Sequence, residues 1–271
     1  MKKNIKNGIP FYTFENFEKH NLRHAFSSKT GGVSAGCFAA LNLGFRRGDA
    51  DENVRKNFRA LAEAVGFSYE DMVFSDQVHE TAVRAVGKSD RGKGYLRESD
   101  IVRTDGLMTN EPGVVLTTFY ADCVPLYFYD PAHRAIALSH AGWRGTLNKI
   151  GGLTVAKMQE TYGSKPEEII AGIGPSIGPC CFEVDLPVVE EFHTGLSFAA
   201  DFIAAHKESA GKYLIDLWGV NKKILADAGL KPENIETAEL CTQCNSDTFY
   251  SHRVMGKERG SMAAFLALGE S

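Results

Sequence analysis

The sequence predicts an α/β (α+β) fold in a single domain over residues 1–271. Strand-like apolar runs alternate with segments of helical period along the whole chain. No Ser/Pro-rich linker, internal repeat or low-complexity tract divides it. With 271 residues, 44% of them hydrophobic, the chain can enclose a substantial core. The mixture of elements excludes an all-β oxidase barrel.

The elements follow in order. After the glycine-rich "SSKTGGVSAGCFAALNLG", residues Val54, Phe58, Leu61, Ala62 and Val65 recur at helical spacing, predicting a helix from Asp51 to Val65 that stops at Gly66. "MVFSDQVHETAVRAV" predicts two short strands separated near Gln77 to Glu80. Residues 87–105 are charged and glycine-rich, which suits either a solvated excursion or a lid over a site. "GVVLTTFYADCVPLYFYD" and "AIALSHAGWRGT" predict neighbouring strands broken at the Asp130-Pro131 turn, with Pro125, which lacks an N–H, ending strand pairing. Leu147, Ile150, Leu153, Val155 and Met158 predict a helix from Thr146 to Tyr162. "EEIIAGIGPSIGPCCFEV" reads as a strand entering a tight Gly/Pro loop. A helix from Asp216 to Ala228 and a strand from Ile235 to Leu240 complete the pattern.

The formal charge of −4 is spread along the chain, which argues against a nucleic-acid or membrane-surface partner, because polyanions need a concentrated basic footprint. No run of about 18 apolar residues occurs, and the N-terminal segment lacks an apolar signal core, so a cytoplasmic protein is expected. In a reducing compartment the six cysteines are thiols, suited to metal binding or catalysis.

Three donors stand at predicted strand ends beside small residues: His79 in "DQVHE", Cys123 in "ADCVPL" and His140 in "LSHAGWRG". Two imidazoles and a thiolate suit a soft divalent ion and leave one coordination position open. Asp122 is then a candidate to orient a ligand imidazole. The plainer alternative keeps each histidine as a satisfied structural residue. Gly142, Gly145 and Arg144 offer close backbone approach and a guanidinium fork for phosphate or carboxylate, and Lys29 in "SSKTGG" is a weaker anion signal. Cys241-x-x-Cys244 has no second C-x-x-C at ribbon spacing. A tetrahedral site would have to borrow Cys180 and Cys181, which read more simply as thiols packed in a rigid loop.

"FSSKTGGVSAGCFAALNLG", "DQVHE", "TDGLMT", "ADCVPL", "SHAGWRGT", "IGPSIGPCCFEV" and "CTQCNSDTFYSHR" together resemble, in order and over nearly the whole chain, the signatures of the YfiH/YlmD family. Its members were long labelled laccase-like polyphenol oxidases and are now described as purine nucleoside phosphorylases. The resemblance implies a layered α-β-β-α sandwich with mixed sheets, and a zinc site at His79, Cys123 and His140. It further implies phosphorolysis of adenosine, inosine and methylthioadenosine with adenosine deaminase activity. A monomer or homodimer is expected. Lys29 stands where many members of the family have Arg, and Phe58 where many have a basic residue after Asn57.

Tested against the residues themselves, a multicopper laccase needs about ten histidines, many in His-x-His pairs, whereas this chain has eight and no such pair; copper at a His2Cys site in vitro is the residual expectation. A cytidine-type zinc deaminase needs His-x-Glu and Pro-Cys-x-x-Cys; here "VHE" puts Glu80 adjacent to His79, and "PCC" lacks the second spaced cysteine, so that mechanism does not transfer. Deamination would use the metal's open position, with Glu80, Asp122 or Asp105 carrying the proton. For phosphorolysis, Arg144, Lys29 and Asn42 are the candidates to position phosphate or ribose. The rival enzyme is a Cys-His hydrolase with Cys123 as nucleophile and His140 as base; the non-enzymatic alternative is a metal-dependent binding protein.

Overall fold

The structure, a computed structural model, describes residues 1–269. Strands β1 (Lys2–Lys6), β2 (Ile9–Thr13) and β3 (Leu22–Ser27), with the short helix α1 (Glu15–Glu18) before the third, lead into helix α2 (Asp51–Val65). Strands β4 (Met72–Phe74), β5 (Val83–Ala85), β6 (Gly106–Thr109), β7 (Val115–Tyr120), β8 (Val124–Asp130) and β9 (Ala135–Ala141) follow, then helices α3 (Trp143–Leu147) and α4 (Ile150–Tyr162). The remainder is β10 (Ile170–Ile173), β11 (Glu183–Asp185), α5 (Leu186–Gly195), β12 (Ile203–Ala205), β13 (Lys212–Ile215), α6 (Leu217–Asp227), β14 (Ile235–Thr237), α7 (His252–Met255) and β15 (Met262–Leu268).

Two six-stranded sheets, ordered β1-β2-β3-β15-β7-β4 and β14-β10-β8-β9-β6-β5, lie face to face, and a small β11-β13-β12 sheet stands apart. Both large sheets are mixed, with parallel β4–β7, β5–β6 and β10–β14 pairs among antiparallel ones. Alternation along single strands assigns the layers. In β15, Met262, Ala264, Leu266 and Leu268 enter the core between the sheets, while Ala263, Phe265 and Ala267 pack with Val54, Phe58 and Leu61 of α2. In β8, Tyr127 and Tyr129 face that same central core, whereas Val124, Leu126 and Phe128 pack against Ile150, Val155 and Met158 of α4. Strands covered on both faces have no polar face to show, which is why these runs are continuously apolar. The resulting order is α-β-β-α, as the resemblance implied.

Helix α2 has the expected ends. Asp51 and Glu52 occupy the first turn, where negative charge meets the helix dipole, and Gly66 caps the other end at φ +96° with its N–H on Ala62 O at 2.8 Å. Phe58 is fully buried in this layer, so the basic residue it replaces would have no room to remain in water.

Four expectations need correction. The predicted helix from Thr146 to Tyr162 is two helices, because Lys149 adopts φ +59° and turns the chain between α3 and α4. Leu147 and Ile150 keep helical spacing across that break, so periodicity does not register it. The run "GVVLTTFYADCVPLYFYD" likewise divides: β7 lies in one sheet and β8 in the other, with Asp122 at φ +82° in the crossing. Pro125 does not end pairing, since β8 continues along β9 through Pro125↔His140 to Val124↔Ala141. Its imide faces β10 instead, where its carbonyl accepts from Gly174 N–H at 2.9 Å just beyond the last ladder pair, Ile173↔Leu126. The strand predicted from Ile235 to Leu240 is also shorter, β14 ending at Thr237.

Candidate metal centre and its cavity

The crossing between sheets leaves Cys123 at the mouth of β8, next to His140 near the end of β9. His79 arrives from the loop between β4 and β5. The donor atoms of these three side chains lie within 4.8 Å of one another. His79 Nε2 is 3.8 Å from Cys123 Sγ, and the two imidazole centroids are 4.8 Å apart in an edge-on arrangement. Gly142 makes room for them: a Cβ there would fall 2.8 Å from His79 Cδ2 and 3.4 Å from Cys123 Sγ.

Asp105, fully buried, organises the group. Its Oδ1 accepts from His140 Nδ1 at 2.8 Å and from His79 N–H at 3.0 Å, and its Oδ2 accepts from Val78 N–H at 3.0 Å and Glu80 N–H at 2.9 Å. One carboxylate thereby places the proton of His140 on Nδ1, leaving Nε2 free as a ligand, and grips the loop in which His79 holds φ +64°. Burial raises the Asp105 carboxyl, but the hydrogen bonds from His140 and the backbone outweigh it and hold the group below the ordinary carboxylate range. Burial likewise pushes Cys123 up and His140 down, yet their mutual attraction prevails. The thiol falls to about 6 and the imidazole rises to about 9. Two imidazoles and an acidic thiol with a carboxylate behind one imidazole fit a soft divalent ion, and His79, Cys123 and His140 are the residues that would hold it.

The centre opens into a cavity of about 920 Å³. Phe45, Phe74, Tyr95 and Phe119 supply aromatic wall, and Arg46, Arg47, Arg97 and Arg259 supply positive charge. Arg259 is 7% exposed; its Nη1 donates to Gly260 O at 2.9 Å, while its Nε has no hydrogen-bond partner. Burial, and then the neighbouring Arg47, lower this guanidinium to about 10. A buried cation next to another cation, with an unused donor, is suited to receiving an anion.

Several sequence-predicted residues lie elsewhere. The Asp122 carboxylate does not reach the imidazoles: it accepts from Thr242 Oγ1 at 2.6 Å, Ser251 Oγ at 3.1 Å and Arg253 N–H at 2.8 Å, and so ties three segments together behind Cys123. The orienting role expected of it falls to Asp105. Lys29 Nζ donates to Ser246 O at 2.5 Å, and the fully buried Asn42 accepts from Gly44 N–H and Ser261 N–H; both brace loops, and neither lines the cavity. Arg144 is exposed and stacks on Trp143 at 4.1 Å, also off the cavity wall. Glu80 pairs with Arg103 at the surface. The 87–105 stretch contributes wall: Lys93 bridges Asp90 (2.6 Å) and Asp100 (2.5 Å), and Tyr95 stacks on Phe74 at 4.3 Å. Sequence reasoning missed Arg47 and Arg259. The tandem arginines of "FRRGD" were a signal for the first; nothing local marks the second.

The family model described as multi-copper polyphenol oxidoreductase laccase matches residues 23–269. The chain is 40% identical over 247 residues to a Bacillus subtilis protein named purine nucleoside phosphorylase YlmD, covering 91% of this chain and 88% of that one. Among solved structures, Bacillus licheniformis YfiH superposes with a TM-score of 0.90 at 34% identity over 98% of both chains. Geobacillus stearothermophilus YlmD does so with a TM-score of 0.84 at 38% identity, over 92% of this chain and 93% of that one. In addition, no helix is long and apolar enough to cross a membrane among the described residues.

Proposed function

The chain belongs to the YfiH/YlmD family, whose model is described as multi-copper polyphenol oxidoreductase laccase, and on that premise we propose that it is a metal-dependent purine nucleoside phosphorylase. The metal is zinc, held by His79, Cys123 and His140. The substrates are adenosine, inosine and S-methyl-5′-thioadenosine, cleaved by phosphate to free base and (methylthio)ribose 1-phosphate, with adenosine deaminase as a side activity in the cytoplasm. One observation carries this reading: a three-donor centre and a buried arginine with an unpartnered Nε share one aromatic-walled cavity. Relatives named for this activity support it.

Phosphorolysis forms a bond from a phosphate oxygen to C1′ as the C1′–N9 bond breaks, and the departing purine takes the electron pair. Arg259 and Arg47 gather the phosphate charge and point one oxygen at the sugar. The rings of Phe45, Phe74 and Phe119 flank the base and keep water from competing with phosphate. Asp105 holds the His140 ring in the tautomer that ligation requires. A zinc ion held by His79, Cys123 and His140 would supply Lewis-acid polarisation. The copper name is explained by in vitro loading of the same donors: a laccase needs several copper ions, and among the described residues one donor cluster contains histidine.

The chain of Asp105, His140 and a low-pKa Cys123 favours a second reading, a Cys-His hydrolase. Incubation with inosine and phosphate should release hypoxanthine and ribose 1-phosphate. No product from the wild type, or equal product from Cys123→Ala and His79→Ala, defeats the phosphorylase reading. Fresh protein without stoichiometric zinc whose Cys123 is alkylated rapidly supports the hydrolase instead.

A further inference from the structure

Four of the six cysteines meet away from this cavity. Cys180 and Cys181 sit in the turn after β10, where the N–H groups of Cys181 and Phe182 both donate to Gly178 O at 2.9 Å. Cys241 and Cys244 sit in the turn after β14, closed by Asn245 N–H on Cys241 O at 3.0 Å, so two cysteines three residues apart share one face. A bridge between Ser176 and Cys241, and a bond from Trp218 Nε1 to Ser176 Oγ at 2.7 Å, lock the turns side by side. Gly178 permits the approach, since a Cβ there would meet Trp218 at 2.7 Å and Cys241 Cβ at 3.2 Å.

All four sulfurs lie within 4.8 Å of one another, with Cys180–Cys244 at 3.5 Å and Cys181–Cys244 at 3.4 Å. Disulfide bonding requires about 2.05 Å. A tetrahedron of thiolates about 2.3 Å from a central ion has edges of about 3.8 Å, close to what is found. Apolar burial does not account for the convergence, because Cys180 and Cys244 are exposed. The surroundings are those of a thiolate cluster: Gly178 N–H donates to Cys241 Sγ at 3.3 Å, and the Arg253 guanidinium, bonded to Cys181 O at 3.3 Å, stands beside the group.

We propose that Cys180, Cys181, Cys241 and Cys244 form a second metal centre, a closed four-thiolate site for a divalent, thiolate-preferring ion of the zinc class. With four protein ligands it has no open position, so its role is structural. It staples two loops whose cysteines are 60 to 64 residues apart. One of them carries Thr242, which donates to Asp122 beside Cys123.

Metal analysis of protein expressed in zinc-supplemented medium and purified without tag or chelator tests the assignment. The wild type should hold about two ions per chain, with about one left in Cys180→Ser/Cys244→Ser and about one in His79→Ala/Cys123→Ala. Cobalt(II) loaded into the second variant should show the sulfur-to-cobalt charge-transfer and visible bands of tetrahedral thiolate ligation; this arm decides even if the cysteine variant does not fold. Three results overturn the proposal: one ion in the wild type with all four cysteines alkylated in the native state, a disulfide among them in non-reducing peptide maps, or two ions retained by Cys180→Ser/Cys244→Ser.

Discussion

Replacing Asp105 by asparagine changes one atom and should disable the centre. Each carboxylate oxygen accepts from two donors: Oδ1 from His140 Nδ1 and His79 N–H, Oδ2 from Val78 N–H and Glu80 N–H. An amide has only one acceptor oxygen, so its NH2 must face one of these pairs. If it takes the Oδ2 position, Val78 and Glu80 N–H lose their partner and the His79 loop loosens from φ +64°. If it takes the Oδ1 position, His79 N–H is orphaned and His140 is driven to carry its proton on Nε2, where a metal would bind. Two unsatisfied part-buried donors, each at the low end of the cost of an orphaned group, about 1 kcal/mol, predict about 2 kcal/mol of lost stability. Loss of the group behind a ligand histidine predicts about 10–100-fold weaker metal binding. Chelator competition measures the second quantity and denaturant unfolding of the metal-free protein the first. Zinc affinity within about twofold of wild type and an unchanged unfolding midpoint would show that Asp105 neither fixes the tautomer nor grips the loop.

Arg259→Lys keeps a charge but loses the guanidinium fork, so KM for phosphate should rise about tenfold while KM for inosine moves less than about threefold in steady-state assays. His24 supplies a pH test of the fold. It is 2% exposed, its Nε2 accepts from Phe14 N–H at 2.7 Å, and burial lowers it to about 4. Because the unfolded chain takes up that proton near 6.5, stability is full above that pH and is lost as pH falls toward about 4, by about 3 kcal/mol. Denaturant unfolding across that range should show the slope in wild type and a flatter profile in His24→Gln. In the metal-free protein, alkylation of Cys123 by iodoacetamide should rise with pH through about 6, as the thiolate forms, and be suppressed by zinc.

How far the sequence could be read follows from how local each signal is. The helix Asp51–Val65 is legible because its apolar spacing, acidic first turn and Gly66 stop all lie within one segment. The break at Lys149 is not, because Leu147 and Ile150 preserve the period across it. His79, Cys123 and His140 could be nominated because donors beside small residues at strand ends are visible one motif at a time. Asp122 was favoured over Asp105 as the orienting carboxylate because adjacency to Cys123 is all that sequence displays; the positive φ at Asp122 turns its side chain toward Thr242 and Ser251.

By itself the sequence determined the mixed α/β class, the strands buried on both faces and the three metal-ligand candidates, since hydrophobic period and ligand chemistry are properties of short segments. Only the tertiary structure decided which carboxylate stands behind His140, which arginines reach the cavity, and that Cys180-Cys181 meet Cys241 and Cys244. Those are distances between residues about 35 to more than 200 positions apart, set by which strands pair and where the chain changes sheets. No local pattern records them.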